Sequence, residues 1–156
     1  MQEVMIPGSL GDIYGTLCLP EAQGPMALVI LSHGFSGDHT GHEDYAAFFL
    51  SKGFAVYNFD FCGGGLNSRS AGTMLQMSVL TEAEDLNAII DHFMADGRFE
   101  KIFLWGASQG GFVSSYVRHS GPPTWRRWCW NSPPTYSRMT RRPAPAPTAA
   151  SRRWTP

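Results

Sequence analysis

The chain has 156 residues, 43% of them hydrophobic and 16% charged, with a formal net charge of -1. That length suits one domain with a single core, the composition excludes a disordered or fibrous chain, and no apolar run approaches a membrane span. The small net charge conceals an imbalance, because residues 118–156 hold eight of the twelve basic residues and none of the thirteen acids.

The N-terminus carries Glu3 and no Lys or Arg ahead of an apolar stretch, so a secretory signal is not expected and the cytoplasm is the default compartment. Cys18, Cys62 and Cys129 show no CxxC spacing and are too few for a disulfide framework or a zinc site, which makes free thiols the expectation. Residues 13–117 alternate strand and helix patterns, and this implies an α/β fold with a mostly parallel sheet covered by helices. Residues 13–19 alternate apolar with small or polar side chains, as a half-buried strand does. Residues 27–32 (ALVILS) are almost continuously apolar, as a strand buried on both faces should be. A helix follows over 42–52, with Glu43 and Asp44 at its start and Lys52 at its end matching the helix dipole. Residues 54–59 read as the next strand.

The strongest helical pattern starts near Thr81, with Glu84 at capping-box spacing, and repeats apolar residues at Leu86, Ile89, Ile90, Phe93 and Met94 until Gly97. Residues 101–105 (KIFLW) form another strand, and residues 112–117 open a short apolar helix. Periodicity stops beyond Val117. Residues 118–156 contain eight prolines, eight arginines and four tryptophans with neither period 2 nor period 3.6. On this reading the strand at 101–105 is left as an apolar edge of the sheet.

The chemistry concentrates at Gly106-Ala107-Ser108-Gln109-Gly110-Gly111, directly after KIFLW and before an apolar helix. This is G-x-S-x-G in the strand-to-helix setting that gives it meaning. A nucleophile on such a turn needs unusual backbone angles, and small neighbours let the chain approach closely while the helix aims amides and positive dipole at the reacting centre. A tight turn that only packs helix on strand is the alternative, and the flanking elements favour the nucleophile. His33-Gly34-Phe35, just after ALVILS, stands where a second oxyanion donor belongs, so the Phe35 and Gln109 backbone amides are the expected pair. His33 itself is compatible with a purely structural role.

Other polar clusters carry less. His39, His42, Glu43 and Asp44 lack H-E-x-x-H spacing, because Ala46 stands where the second histidine belongs, so no metal is expected. Gly63-Gly64-Gly65 has neither a following GK[ST] nor G-x-G-x-x-G, so no nucleotide cofactor is expected. Asp60 reads as a structural carboxylate at a strand end. His92 reads as surface, and His119 lies too far along its helix to reach Ser108.

The segment from about Tyr14 to Val117 resembles the N-terminal half of the α/β-hydrolase superfamily, nearest to bacterial serine esterases of the feruloyl and cinnamoyl type. LSHGFSGD (31–38), NFDFCGGGLNS (58–68) and LWGASQGG (104–111) carry the resemblance. It implies Ser108 as nucleophile, Phe35 and Gln109 as oxyanion amides, a carboxylic ester as small-molecule substrate and an acyl-enzyme intermediate. No cofactor and no nucleic-acid or membrane partner is expected. Cys62-Gly63-Gly64-Gly65 departs from the Arg-Gly-His-Gly usual there, and a more flexible loop is expected.

Such hydrolases take their acid and histidine from loops after later strands, in the order Ser, Asp or Glu, then His. No acid follows Glu100 in this chain. The triad is therefore expected to be absent, with residues 1–117 a partial hydrolase domain and 118–156 an irregular basic tail. Rebuilding each codon from the last base of the preceding codon and the first two of its own forces Val, Leu and Glu at positions 129 to 131, inside a permitted string close to V-E-A-L-V-L-E-F-P-A-Y. That string is a buried strand followed by a turn, about twenty residues past Ser108. An out-of-frame tail on a hydrolase that is inactive as written is thus the preferred expectation. A non-catalytic fragment or a binding module using a genuine basic tail is the rival.

Overall fold

The computed structural model describes residues 1–21, 24, 26–122 and 129–131, the last three through their backbone. Its elements run β1 (Gln2–Gly8), β2 (Gly11–Cys18), β3 (Met26–Ser32), α1 (Glu43–Ser51), β4 (Ala55–Phe59), α2 (Val79–Asp96), β5 (Phe99–Gly106), α3 (Gln109–Ser120) and β6 (Cys129–Asn131). One sheet forms in the order β1-β2-β4-β3-β5-β6. The β1–β2 and β2–β4 pairs are antiparallel, while β3 pairs in parallel with β4 and β5.

The side chains of β3 decide how the sheet is covered. Leu28 and Ile30 point into the larger core with Ile89, Ile90 and Phe93 of α2 and Val113 and Val117 of α3. Val29 and Leu31, one residue out of phase, join Val56, Trp105 and Ala46 of α1 on the opposite face. Every second residue of a strand faces the same way, so an unbroken apolar run needs apolar partners on both sides, and α1 and α2/α3 provide them. Among the described residues, no helix is long and apolar enough to cross a membrane.

Besides β2 and β5 starting two residues earlier than expected, four points differ from the sequence reading. β1 is an edge strand in which Ile6 is buried and Met5 is half exposed, and with Pro7 and Gly8 at its end it lacks a strand's apolar alternation. α2 starts two residues earlier than expected. Its N-cap is Ser78, whose hydroxyl accepts from the Thr81 amide while the Thr81 side chain returns a bond to the Ser78 amide, so Thr81 completes the capping box in place of Glu84. α3 begins at Gln109, since the glycines of the elbow form its first turn, and continues to Ser120, past the expected end at Val117. Nor is β5 the edge of the sheet, because Cys129, Trp130 and Asn131 pair in parallel with Ile102, Phe103 and Leu104.

Asp85 ties this framework together. It is fully buried on α2, and its carboxylate accepts the Ser9 amide of the β1–β2 turn at 2.7 Å and the Cys62 amide of the loop after β4 at 2.8 Å. Removing it orphans two amides at once, and a buried donor left without an acceptor costs its desolvation penalty. Asp85→Ala is expected to lower unfolding free energy by about 3 kcal/mol in urea titration. A loss below about 1 kcal/mol would show that water replaces the carboxylate.

Candidate active site

Ser108 occupies the junction between β5 and α3, with φ 50° and ψ -118°. Only it and Ser36 (φ 60°) combine a side chain with positive φ among the described residues. The chain accepts this conformation because surrounding contacts impose it. The Ala107 amide donates to the Ser32 carbonyl at 3.1 Å, joining the elbow to the end of β3, and the Gly110 amide donates to the Ala107 carbonyl at 2.9 Å. A Cβ on Gly110 would collide with the backbone carbonyls of Ser32 and His33, and one on Gly106 would sit 2.5 Å from Gly110. Glycine is required at both places by close backbone approach. The result presents Ser108 exposed at the carboxyl end of the sheet.

The Phe35 loop lies against this elbow. A Cβ on Gly34 would stand 3.3 Å from the Ser108 Cβ and from the Ala107 carbonyl oxygen. The following turn is closed by the Gly37 amide donating to the Gly34 carbonyl at 3.0 Å, with Ser36 at positive φ. Neither the Phe35 amide nor the Gln109 amide donates a hydrogen bond within the described residues. The Gln109 amide opens α3 next to the exposed Ser108, and Phe35 follows the glycine that abuts Ser108.

The histidines serve other ends. His33 is buried, its Nδ1 lies 2.8 Å from the Gly34 carbonyl oxygen, and its Nε2 accepts the Phe61 amide at 3.0 Å. These partners fix the neutral tautomer with hydrogen on Nδ1. Burial holds its pKa below the ordinary histidine value. His39 places Nδ1 2.9 Å from Asp60 and packs edge-on against Tyr14 of β2. His42 packs against Trp105, His92 is exposed beside Phe93, and exposed His119 lies eleven residues after Ser108, roughly 16 Å along α3. None of them hydrogen-bonds Ser108, whose hydroxyl has no partner among the described residues.

Asp60 is structural in the way its position at the end of β4 suggested. Fully buried, it accepts the His39 amide at 2.5 Å and the Arg69 amide at 2.7 Å, clamping the loops that follow β3 and β4. Among the described residues, no group of three or more histidine, cysteine, aspartate or glutamate side chains could hold a metal ion.

Glu82 escaped the sequence reading. It is 1% exposed on α2, and its Oε2 accepts a 2.8 Å hydrogen bond from the Gln109 side-chain amide. Its signal was positional, because Glu82 and Asp85 share a face with Leu86, Ile89 and Phe93, where a carboxylate must find a partner.

Parallel strands covered by helices on both faces, with a strand–serine–helix elbow on the carboxyl edge, define the α/β-hydrolase fold of the serine hydrolases. A family model described as serine aminopeptidase, S33, matches residues 23–155, and the chain belongs to that family. Among solved structures it is similar to the Est1E protein of Butyrivibrio proteoclasticus bound to ferulic acid, with 21% identity, a TM-score of 0.67 and coverage of 74% of this chain and 46% of that one. The Pyrococcus furiosus esterase Pf2001 aligns with 21% identity and a TM-score of 0.69, over 83% of this chain and 49% of that one. A curated relative, the uncharacterized protein YfhR of Escherichia coli K12, is 28% identical over 97 residues, or 60% of this chain and 33% of the relative. The chain thus spans about a third of its curated relatives' length and about half of these structures.

A lowered pKa means the unfolded chain takes up a proton before His33 does in the folded state, so His33 reduces stability as pH falls from about 6.5 toward its folded value. At pH 6, where an ordinary imidazole is mostly protonated, His33 ¹⁵N shifts are expected to show less imidazolium than a free imidazole does, with the neutral form as the Nδ1–H tautomer. As much imidazolium as a free imidazole shows at that pH would contradict the assigned hydrogen bonds.

Proposed function

We propose that this chain carries the nucleophile half of a serine ester hydrolase site and does not turn over by itself. Ser108 supplies the nucleophile and the Phe35 and Gln109 amides the oxyanion hole. The reading is carried by one observation, the elbow that holds an exposed serine at φ 50° beside two unengaged amides.

In the reaction, the Ser108 oxygen adds to the ester carbonyl carbon. The carbonyl electron pair moves onto oxygen as the two amides receive it, and the hydroxyl proton passes to a base. Collapse expels the alcohol, which takes that proton, and leaves the acyl group on Ser108 until water repeats the sequence. The base is the missing part. His33 spends both ring nitrogens on the backbone, and no described histidine bonds the serine. Without a base, turnover in a well-studied serine protease falls by about 10⁶, while oxyanion donors and binding retain roughly 10³ over water.

Residues 118–156, on the same proposal, are an out-of-frame translation of the rest of the domain. β6 supports this by its place, since Cys129–Asn131 lies beside β5 where the offset frame encodes Val-Leu-Glu. The proposed substrate is a small-molecule carboxylic ester, in keeping with the esterase and ferulic-acid-bound relatives. A cytoplasmic setting is proposed from the free thiols Cys18 and Cys62.

The purified chain is expected to show no Ser108-dependent hydrolysis of aryl or cinnamoyl esters. Shifting the frame after codon 117 should restore it, and Ser108→Ala in the restored protein should abolish it. Ester turnover by the 156-residue chain that Ser108→Ala removes would contradict the missing base. Aminoacyl-anilide hydrolysis without ester hydrolysis in the restored protein would overturn the ester assignment.

A further inference from the structure

Glu82 is a buried carboxyl for which the proposed reaction has no use, and it touches the residue that follows the nucleophile. Its Oε2 accepts from Gln109 Nε2 at 2.8 Å, while its Oε1 is buried with no hydrogen-bond partner among the described residues. The contact joins α2 to the first turn of α3. It also occupies the Gln109 side chain, the only flexible polar group that this turn could otherwise swing toward Ser108.

We propose that Glu82 is a positioning residue for the elbow: by holding the Gln109 side chain against α2 it fixes the Gln109 backbone amide, and its ionisation changes that amide's electrostatic surroundings. This rests on the oxyanion role proposed for Gln109. A neutral carboxyl can accept the bond without placing charge near a developing oxyanion. An ionised carboxylate keeps the bond but sets a buried negative charge one helix away from that oxyanion, where low polarisability lets it act.

The surroundings favour the neutral form at mildly acidic pH. Burial lifts the Glu82 pKa to about 7, the Gln109 hydrogen bond opposes the rise, and the Asp85 charge three residues on adds to it. α3 brings no acidic residue in its first turn, and its basic residues Arg118 and His119 lie at its far end. From β5, Glu100 and Lys101 are exposed at the opposite end of the strand. From β1, Glu3 is exposed and bonded to Arg69 and Tyr14. No described cation is hydrogen-bonded to Glu82 to hold it ionised.

The test is an NMR titration of the ¹⁵N-labelled full chain from pH 5 to 8.5, in the natural sequence, Glu82→Gln and Glu82→Leu. The Gln109 side-chain and backbone amide resonances should move with a midpoint about 7. In Glu82→Gln, whose amide oxygen can accept the same bond, they should stay near their low-pH positions throughout. In Glu82→Leu they should be displaced at every pH. Flat Gln109 resonances in the natural chain, or a titration that persists in Glu82→Gln, would overturn the proposal, and these two proteins decide it even if Glu82→Leu fails to fold. The nucleophile reading fails separately: a restored-frame enzyme indifferent to Ser108→Ala retires Ser108 and leaves a Glu82-dependent titration standing.

Discussion

The site depends on how closely the first turn of α3 lies on the backbone of β3 and β5. Gly110 rests against the Ser32 and His33 carbonyls and Gly106 against Gly110, with no room for a Cβ at either position. Side chains there would lift the helix from the sheet, and Ser108 could then relax from φ 50° into an ordinary helical or extended conformation. The Ala107 bond to Ser32 would lengthen with it, separating the elbow from the Phe35 loop. Placement of the hydroxyl and of both amides is thus one consequence of a single close packing.

Three buried carboxyl groups tie elements together around that edge, two through loops and one between helices. Asp60 clamps the segments after β3 and β4 through the His39 and Arg69 amides, and Asp85 clamps the first hairpin and the Cys62 loop to α2. Each of these two accepts from two backbone amides. Glu82 has one side-chain donor and an unpaired oxygen, and burial outweighs that single bond. A buried carboxyl group therefore clamps loops through backbone amides in two places, and in the third joins two helices with its pKa raised by burial.

What could be read from the sequence followed the strength of the local signal. The elbow was legible because a glycine pattern, an apolar strand and an apolar helix coincide within a dozen residues. β3 was legible because a strand covered on both faces needs an unbroken apolar run. β1 was not, since as an edge strand it buries little beyond Ile6 and Val4. The start of α2 was misplaced because Ser78 and Thr81 satisfy the capping box with a hydroxyl where a carboxylate was sought. In the residues as written β6 was not legible, because its pairing uses the backbone of three residues inside an aperiodic Arg- and Pro-rich segment, although the offset-frame string placed a strand there. The Glu82 contact was also out of reach, because its partner is 27 residues away and on another helix.

The most direct test of this account is the unfolding free energy of Gly110→Ala against Gly41→Ala, two identical changes in different surroundings. A Cβ at Gly41 would come no nearer than 3.5 Å to its closest neighbour, the Asp38 carbonyl oxygen, whereas at Gly110 it would overlap two backbone carbonyls. Close packing at the elbow predicts a loss of about 2 kcal/mol or more for Gly110→Ala and a change within about 0.5 kcal/mol for Gly41→Ala. Equal, small effects for the two would contradict the claim that backbone contact between α3 and the sheet sets the position of Ser108.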